Sequence, residues 1–192
     1  MLGHYHLWVG GVEHNDISAK NLMYDKCNED RGVLNDYDLS HLDGQPRPSG
    51  TERTGTMPFM ALDLLTDKAW DGKITRLYRH DCESFAWVLL WICCRFEDGK
   101  EIPNPPLGQF ITESYRRCSH EKNAILYELE SVTATSSYES FWFGVVELVK
   151  AFAKRRFAQA MASGQLPEPT TEEIVQEIQK LLEQNGFLVG LP

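Results

Sequence analysis

A chain of 192 residues suggests one domain and is long enough to bury a real core. Hydrophobic residues make up 42% and charged residues 24%, the balance of an ordinary soluble globular protein. The net charge of −9 argues against a dedicated binder of nucleic acid or of an anionic membrane surface.

Residues 1–13 are a short lead-in with His4, Leu7, Trp8 and Val12, closed by a turn at Gly10-Gly11. Residues 22–35 read as a β-hairpin: Leu22-Met23-Tyr24, a polar turn over residues 25–32, and the return strand Val33-Leu34. Such a hairpin sets Asn21 and Asp36 at neighbouring ends. Residues 39–58 carry Gly44, Pro46, Pro48, Gly50 and Gly55 and predict an exposed loop. From Asp81 to Phe96 runs a helix that is apolar on nearly all sides, with Trp87 and Leu90 inside it, so it belongs at the centre of the fold. Its apolar run, residues 85–94, is about half the ~20 residues that span a bilayer. Three prolines, Pro103, Pro105 and Pro106, make residues 97–108 a loop. Helical patterns return at 121–130 and 138–161, and residues 164–169 break the chain. Thr170-Thr171-Glu172-Glu173 is a capping box for a last helix with the stripe Ile174, Ile178, Leu181 and Leu182, ended by Asn185-Gly186. The five cysteines (27, 82, 93, 94 and 118) form no C-x-x-C, and two are adjacent in an apolar run. They read as reduced, buried thiols of an intracellular protein, cytoplasmic or nuclear, and not as a disulfide frame or zinc site. No secretory signal pattern opens the chain.

The chemistry concentrates in His14-Asn15-Asp16-Ile17-Ser18-Ala19-Lys20-Asn21, followed by Leu34-Asn35-Asp36-Tyr37-Asp38. Here a carboxylate, Asp16, is followed by the cation Lys20 four residues on, the neutral oxygen donor Asn21 five on, and a second carboxylate, Asp36. Phosphoryl transfer needs those parts. One carboxylate orients the attacking hydroxyl and takes its proton, while an amide oxygen and another carboxylate hold Mg²⁺, which prefers hard oxygen ligands. The three groups Asp16, Asn21 and Asp36 are therefore expected to converge on one pocket.

The spacing is similar to the protein-kinase catalytic loop H-R-D-L-x-x-x-N and the D-F-G that follows it. Together with residues 35–40, 53–61 and 81–91, the chain resembles the C-terminal lobe of a protein kinase. It is closest to the fungal-type kinases, with their HRDIS…N, IDFDLA and RTGT..FMA stretches and a D-L-E-S-F-rich helix. The resemblance covers roughly residues 10–96. It implies an α+β, predominantly α-helical fold with a small β-hairpin, one partial kinase-like domain over 1–192. Its catalytic loop is 14–21, its activation segment 36–63 and its central helix 81–96. It implies Asp16 as base and Lys20 toward the γ-phosphate, Asn21 and Asp36 as metal ligands, and ATP with Mg²⁺ as cofactors. Thr56 falls in the substrate-docking loop and bonds Asp16, Asp63 stands seven residues after it where A-P-E has its acid, His14 packs under the metal turn, and Asp81 tethers the loop backbone. A protein substrate is the implied partner, phosphorylated on Ser/Thr, with no nucleic acid and no membrane; the oligomeric state is left open.

Departures are informative. No G-x-G-x-x-G occurs, so the Gly-rich loop, the strand Lys and its helix Glu are expected upstream of Met1, and these residues alone are expected to be inactive. Asn15 replaces the usual Arg, which argues against phosphorylation-gated activation. Asp38 replaces the Gly of D-F-G and restricts that turn. Thr54 and Thr56 are candidate phosphosites. Two further readings are carried: a non-catalytic kinase-like binding module, and a small-molecule kinase of the aminoglycoside or choline type, which Asp36-Tyr37-Asp38 suits. A metal site on His4 and His6 is remote, because no partner cluster matches their spacing.

Overall fold

The apolar run of residues 85–94 decides the architecture. In the computed structural model, which describes residues 2–25, 27–45, 55–162 and 166–186, it lies within α3, Tyr78–Arg95, the most buried helix of the fold. Trp87 is 3% and Leu90 0% exposed, as an all-round apolar helix requires. α3 starts three residues before the expected Asp81. The reason is local: the His80 ring Nδ1 accepts the Leu77 N–H at 3.1 Å while the His80 N–H donates to the Leu77 carbonyl at 2.9 Å, so histidine does the work of a cap.

The remaining elements pack around α3. α1, Leu2–Val9, lays His4 on the Tyr78 ring, with centroids 5.2 Å apart, and edge-on to Phe85. α2 is a single turn, Asp67–Trp70, α4 runs Tyr115–Tyr127, α5 runs Glu139–Met161 and α6 runs Thr171–Gln184. α5 packs along α3, and α6 packs on both. The expected capping box of α6 is present. The Thr170 hydroxyl accepts the Glu173 N–H at 3.2 Å, and the Glu173 carboxylate accepts the Thr170 N–H at 2.8 Å.

The fold is α+β and mainly helical, with more strand than one hairpin. β2, Leu22–Asp25, pairs antiparallel with β3, Asn28–Leu34, in the register Leu22↔Leu34 and Met23↔Val33. The return strand thus begins earlier than Val33. Two small sheets were not expected. β1, Val12–Glu13, pairs with β4, His41–Leu42, across residues expected to be loop. β5, Phe96–Glu97, pairs with β6, Lys100–Glu101, through Asp98-Gly99. Both turn residues have positive φ, 48° and 74°, the backbone a two-residue hairpin turn favours, and Asp-Gly is its usual sequence.

Four cysteines, Cys82, Cys93, Cys94 and Cys118, are buried and free. Cys27 corrects the expectation: it is exposed, because it sits in the polar connection between β2 and β3. Among the described residues no helix is long and apolar enough to cross a membrane. Of the expected loop and its sites, Pro46, Pro48, Gly50, Arg53 and Thr54 lie outside the described residues, as does Gly164 of the later break.

Candidate functional site

The segment between β1 and β2 carries Asp16, and its carboxylate is the point where distant parts of the chain meet. Oδ1 accepts two bonds from Thr56, the backbone N–H at 2.7 Å and the hydroxyl at 2.8 Å. Oδ2 accepts the Asn21 amide at 3.1 Å, and the same Asn21 Nδ2 donates to the Asp16 carbonyl at 2.9 Å. A carboxylate offers about four acceptor positions. Three are taken, which fixes the group and leaves one on Oδ2. Asn21 spends its amide N–H groups on Asp16, so its Oδ1 faces the task of acceptor alone.

The loop is held from beneath by buried polar contacts. His14 lies between two parts of the site. Its Nδ1 accepts the Asp16 N–H at 3.2 Å and its Nε2 donates to the Asn35 carbonyl at 3.0 Å, with the ring edge-on to Tyr37. Burial pushes the His14 imidazole below its ordinary pKa, so the neutral tautomer that both bonds require persists. Asn15 is buried at φ 70°, a left-handed backbone that Asn tolerates better than most residues. Its N–H donates to Asp81 Oδ2 at 3.4 Å and its side-chain amide to the Leu39 carbonyl at 3.4 Å. Asp81, wholly buried in the first turn of α3, also bonds His4 Nε2 at 3.0 Å and Arg76 Nη2 at 2.9 Å. Burial opposes its charge, but the His4 and Arg76 contacts outweigh that and hold its carboxyl down at about 2.

The remaining expected groups lie at the rim. The Asn35 N–H donates to the Asn21 carbonyl at 2.8 Å, so the β2–β3 ladder runs one step beyond its strands and ends one residue before Asp36. Asp36 is exposed at φ 64°, and among the described residues no hydrogen bond joins its carboxylate to Asp16 or Asn21. Asp38 and Lys20 are exposed. Among the described residues, no group of three or more His, Cys, Asp or Glu lies close enough to hold a metal ion.

Residues 1–93 match the family model described as fungal protein kinase. Over that span the chain is similar to the fungal protein kinases. No curated protein matches it. The matched span ends inside α3, so it takes in Asp16, Asn21, Asp36, Thr56, Asp63 and Asp81 but stops before the helices α4 to α6.

For Asp63, which the sequence already marked, the structure adds the partners Arg79, His80 and Arg156, which sequence reasoning missed. Asp63, at the start of a 3-10 turn, pairs with Arg79 at 2.7 Å and Arg156 at 3.3 Å, and lies 3.8 Å from His80 Nε2. Burial works against its charge, yet His80 and Arg79 prevail and hold the carboxyl well below the usual range. Arg79 also pairs with Glu168 at 2.9 Å. Asp63 is thus the joint that ties the segment after Thr56 to α3 and α5. No local pattern marks Arg156, 93 residues away, as its partner.

Gly55 shows how tightly that segment approaches the loop that carries Asp16. Its φ is 125°, and a Cβ there would stand 3.1 Å from the Asn15 carbonyl oxygen and 3.3 Å from the Met60 side chain. Gly55→Ala should therefore cost about 1–3 kcal/mol, read as a lower urea midpoint. The Thr56 amide resonance should shift toward random-coil values in the same variant.

Proposed function

We propose that this chain is the catalytic-loop part of a protein kinase, a C-lobe-like unit that directs the γ-phosphoryl group of ATP to Ser/Thr hydroxyls of a protein substrate. The convergence of Thr56 and Asn21 on the Asp16 carboxylate carries this reading. A docking segment that bonds the base is what a peptide-phosphorylating site needs, and it favours that reading over a small-molecule kinase. Asp16 is oriented by three donors and retains an open acceptor position for a substrate hydroxyl, whose proton it takes as the oxygen attacks. Thr56 sits where the acceptor peptide would run, and Lys20 stands at the exposed rim to meet the γ-phosphate.

The donor chemistry fits Mg²⁺. Asn21 keeps its oxygen free by donating through nitrogen, and Asp36 offers an exposed carboxylate one residue beyond Asn35, the ladder partner of Asn21. Mg²⁺ commonly takes only one or two protein oxygens and fills its shell with phosphates and water, so two groups suffice. When bound, Mg·ATP supplies the phosphoryl group, and the metal neutralises charge on the phosphates. An intracellular setting with a protein substrate goes with the reading.

The test is nucleotide binding and transfer. These 192 residues contain no G-x-G-x-x-G, so tested by themselves they leave one side of a nucleotide in water, where charges interact weakly. Calorimetry should give a Kd for Mg·ATP weaker than about 1 mM, with negligible transfer to a Ser/Thr peptide. Joined to a kinase N-lobe the chain should bind nucleotide, and Asp16→Asn or Asp36→Asn should each abolish turnover. A joined protein that binds but never transfers would instead make this a binding module.

A further inference from the structure

Lys122 is the least expected group in the fold. It lies on α4 with 0% exposure, outside the span that matches the fungal kinases. A buried ammonium must be compensated, and here its partners come from the segment that follows Thr56 and from α3. Nζ donates to the Met60 carbonyl at 2.6 Å and stands 4.3 Å from the centre of the Trp87 ring, over its face. The Trp87 indole N–H donates to Glu83 Oε1 at 3.1 Å, and the same oxygen accepts the Leu62 N–H at 2.8 Å. Two buried side chains of opposite charge, Lys122 and Glu83, thus grip the Met60 carbonyl and the Leu62 amide with Trp87 between them. One helical turn before Lys122, the Cys118 thiol donates to the Met57 carbonyl at 3.4 Å. The grip is passed to the site along the backbone. The Met60 N–H donates to the Thr56 carbonyl at 3.2 Å, and the Phe59 N–H does so at 2.9 Å. The Thr56 N–H and hydroxyl then hold Asp16.

We propose that Lys122 is a positioning residue for the candidate site: through the Met60 carbonyl it sets the conformation of residues 56–62 and so the two hydrogen bonds that Thr56 gives to Asp16. The assignment rests on the proposed role of Asp16, but the contact it concerns is measurable without any phosphoryl transfer. Burial pushes the Lys122 ammonium down to about 7, opposed by Cys118 and Glu83, so its charge changes in an accessible range. Glu83 faces it from α3 and Cys118 from its own helix, with Glu121 beside Cys118. His120 is two residues away but exposed.

The experiment is amide exchange and ¹H–¹⁵N NMR on the full chain. Lys122→Met keeps an unbranched apolar stem and removes the charge and the donors. In folded Lys122→Met protein the Thr56 amide should exchange about tenfold faster, the scale of one lost charge-assisted bond. Amides of α6 should be unchanged. A folded variant with an unaltered Thr56 amide overturns the inference. If Lys122→Met does not fold, a pH series on His120→Asn protein decides: the Thr56 amide shift should track the Lys122 ¹⁵Nζ titration. A Thr56 shift that is flat through that titration overturns the inference. Failure of the kinase reading would look different, as absent transfer by the joined protein whatever Thr56 does.

Discussion

Asp81→Ala is expected to lose about 3–5 kcal/mol of folding stability, the scale of removing one partner from a buried charge pair. Against a typical total of roughly 5–15 kcal/mol, that is enough to leave much of the chain unfolded at 37 °C. The carboxylate answers three separate groups at once: His4 from α1, Arg76 ahead of α3, and the Asn15 N–H of the loop that carries Asp16. Alanine would take this acceptor from the buried His4 ring and the buried Asn15 N–H, and a carboxylate partner from Arg76. Urea unfolding followed by far-UV circular dichroism measures the loss. Asp81→Asn is the sharper probe, since it keeps shape and one acceptor while removing the charge that Arg76 needs. It should fall between wild type and alanine, and an Asn variant as stable as wild type would contradict the charge-based account.

The second large effect is a stability that rises with pH. The Lys122 pKa is lowered from 10.5 to about 7 in the fold, with burial as the main cause. Between those values the unfolded chain holds a proton that the folded chain has released. Folding then gains with each pH unit, and the burial penalty is fully felt only below the folded value. Relative to Lys122→Met, wild type should gain about 1–2 kcal/mol between pH 7 and pH 8.5. The comparison with the variant is needed because the buried thiols act oppositely. Burial raises Cys93 to about 11 and Cys94 to about 12, so above the ordinary thiol range the unfolded state loses protons first and stability falls. Denaturant titrations of both proteins at a series of pH values separate the two slopes. Parallel curves for wild type and Lys122→Met would show that Lys122 keeps an ordinary pKa in the fold.

By itself the sequence determined the elements whose cause is local. The all-round apolarity of residues 85–94 determined a buried central helix. Thr170 and Glu173 determined the start of α6, and the hairpin between Asn21 and Asn35 closes with a ladder bond where the turn pattern called for one. Asp16, Asn21, Asp36 and Thr56 were legible as candidates because their order and spacing are a chemical pattern readable along the chain. Tertiary structure decided what depends on partners far away in sequence. It brought Thr56 back across 40 residues to the Asp16 carboxylate, gave Asp63 its arginine at 156, and paired β1 with β4 across the Asp16 segment and the β2–β3 hairpin. Lys122 is the clearest case. In the sequence it reads as one more charge on an amphipathic helix, which by default faces water. Only the packing of α4 against residues 57–65 removes it from solvent and leaves a single carbonyl and a tryptophan face to receive it. A buried charge has no local signature, because what compensates it is supplied by other elements once they have packed.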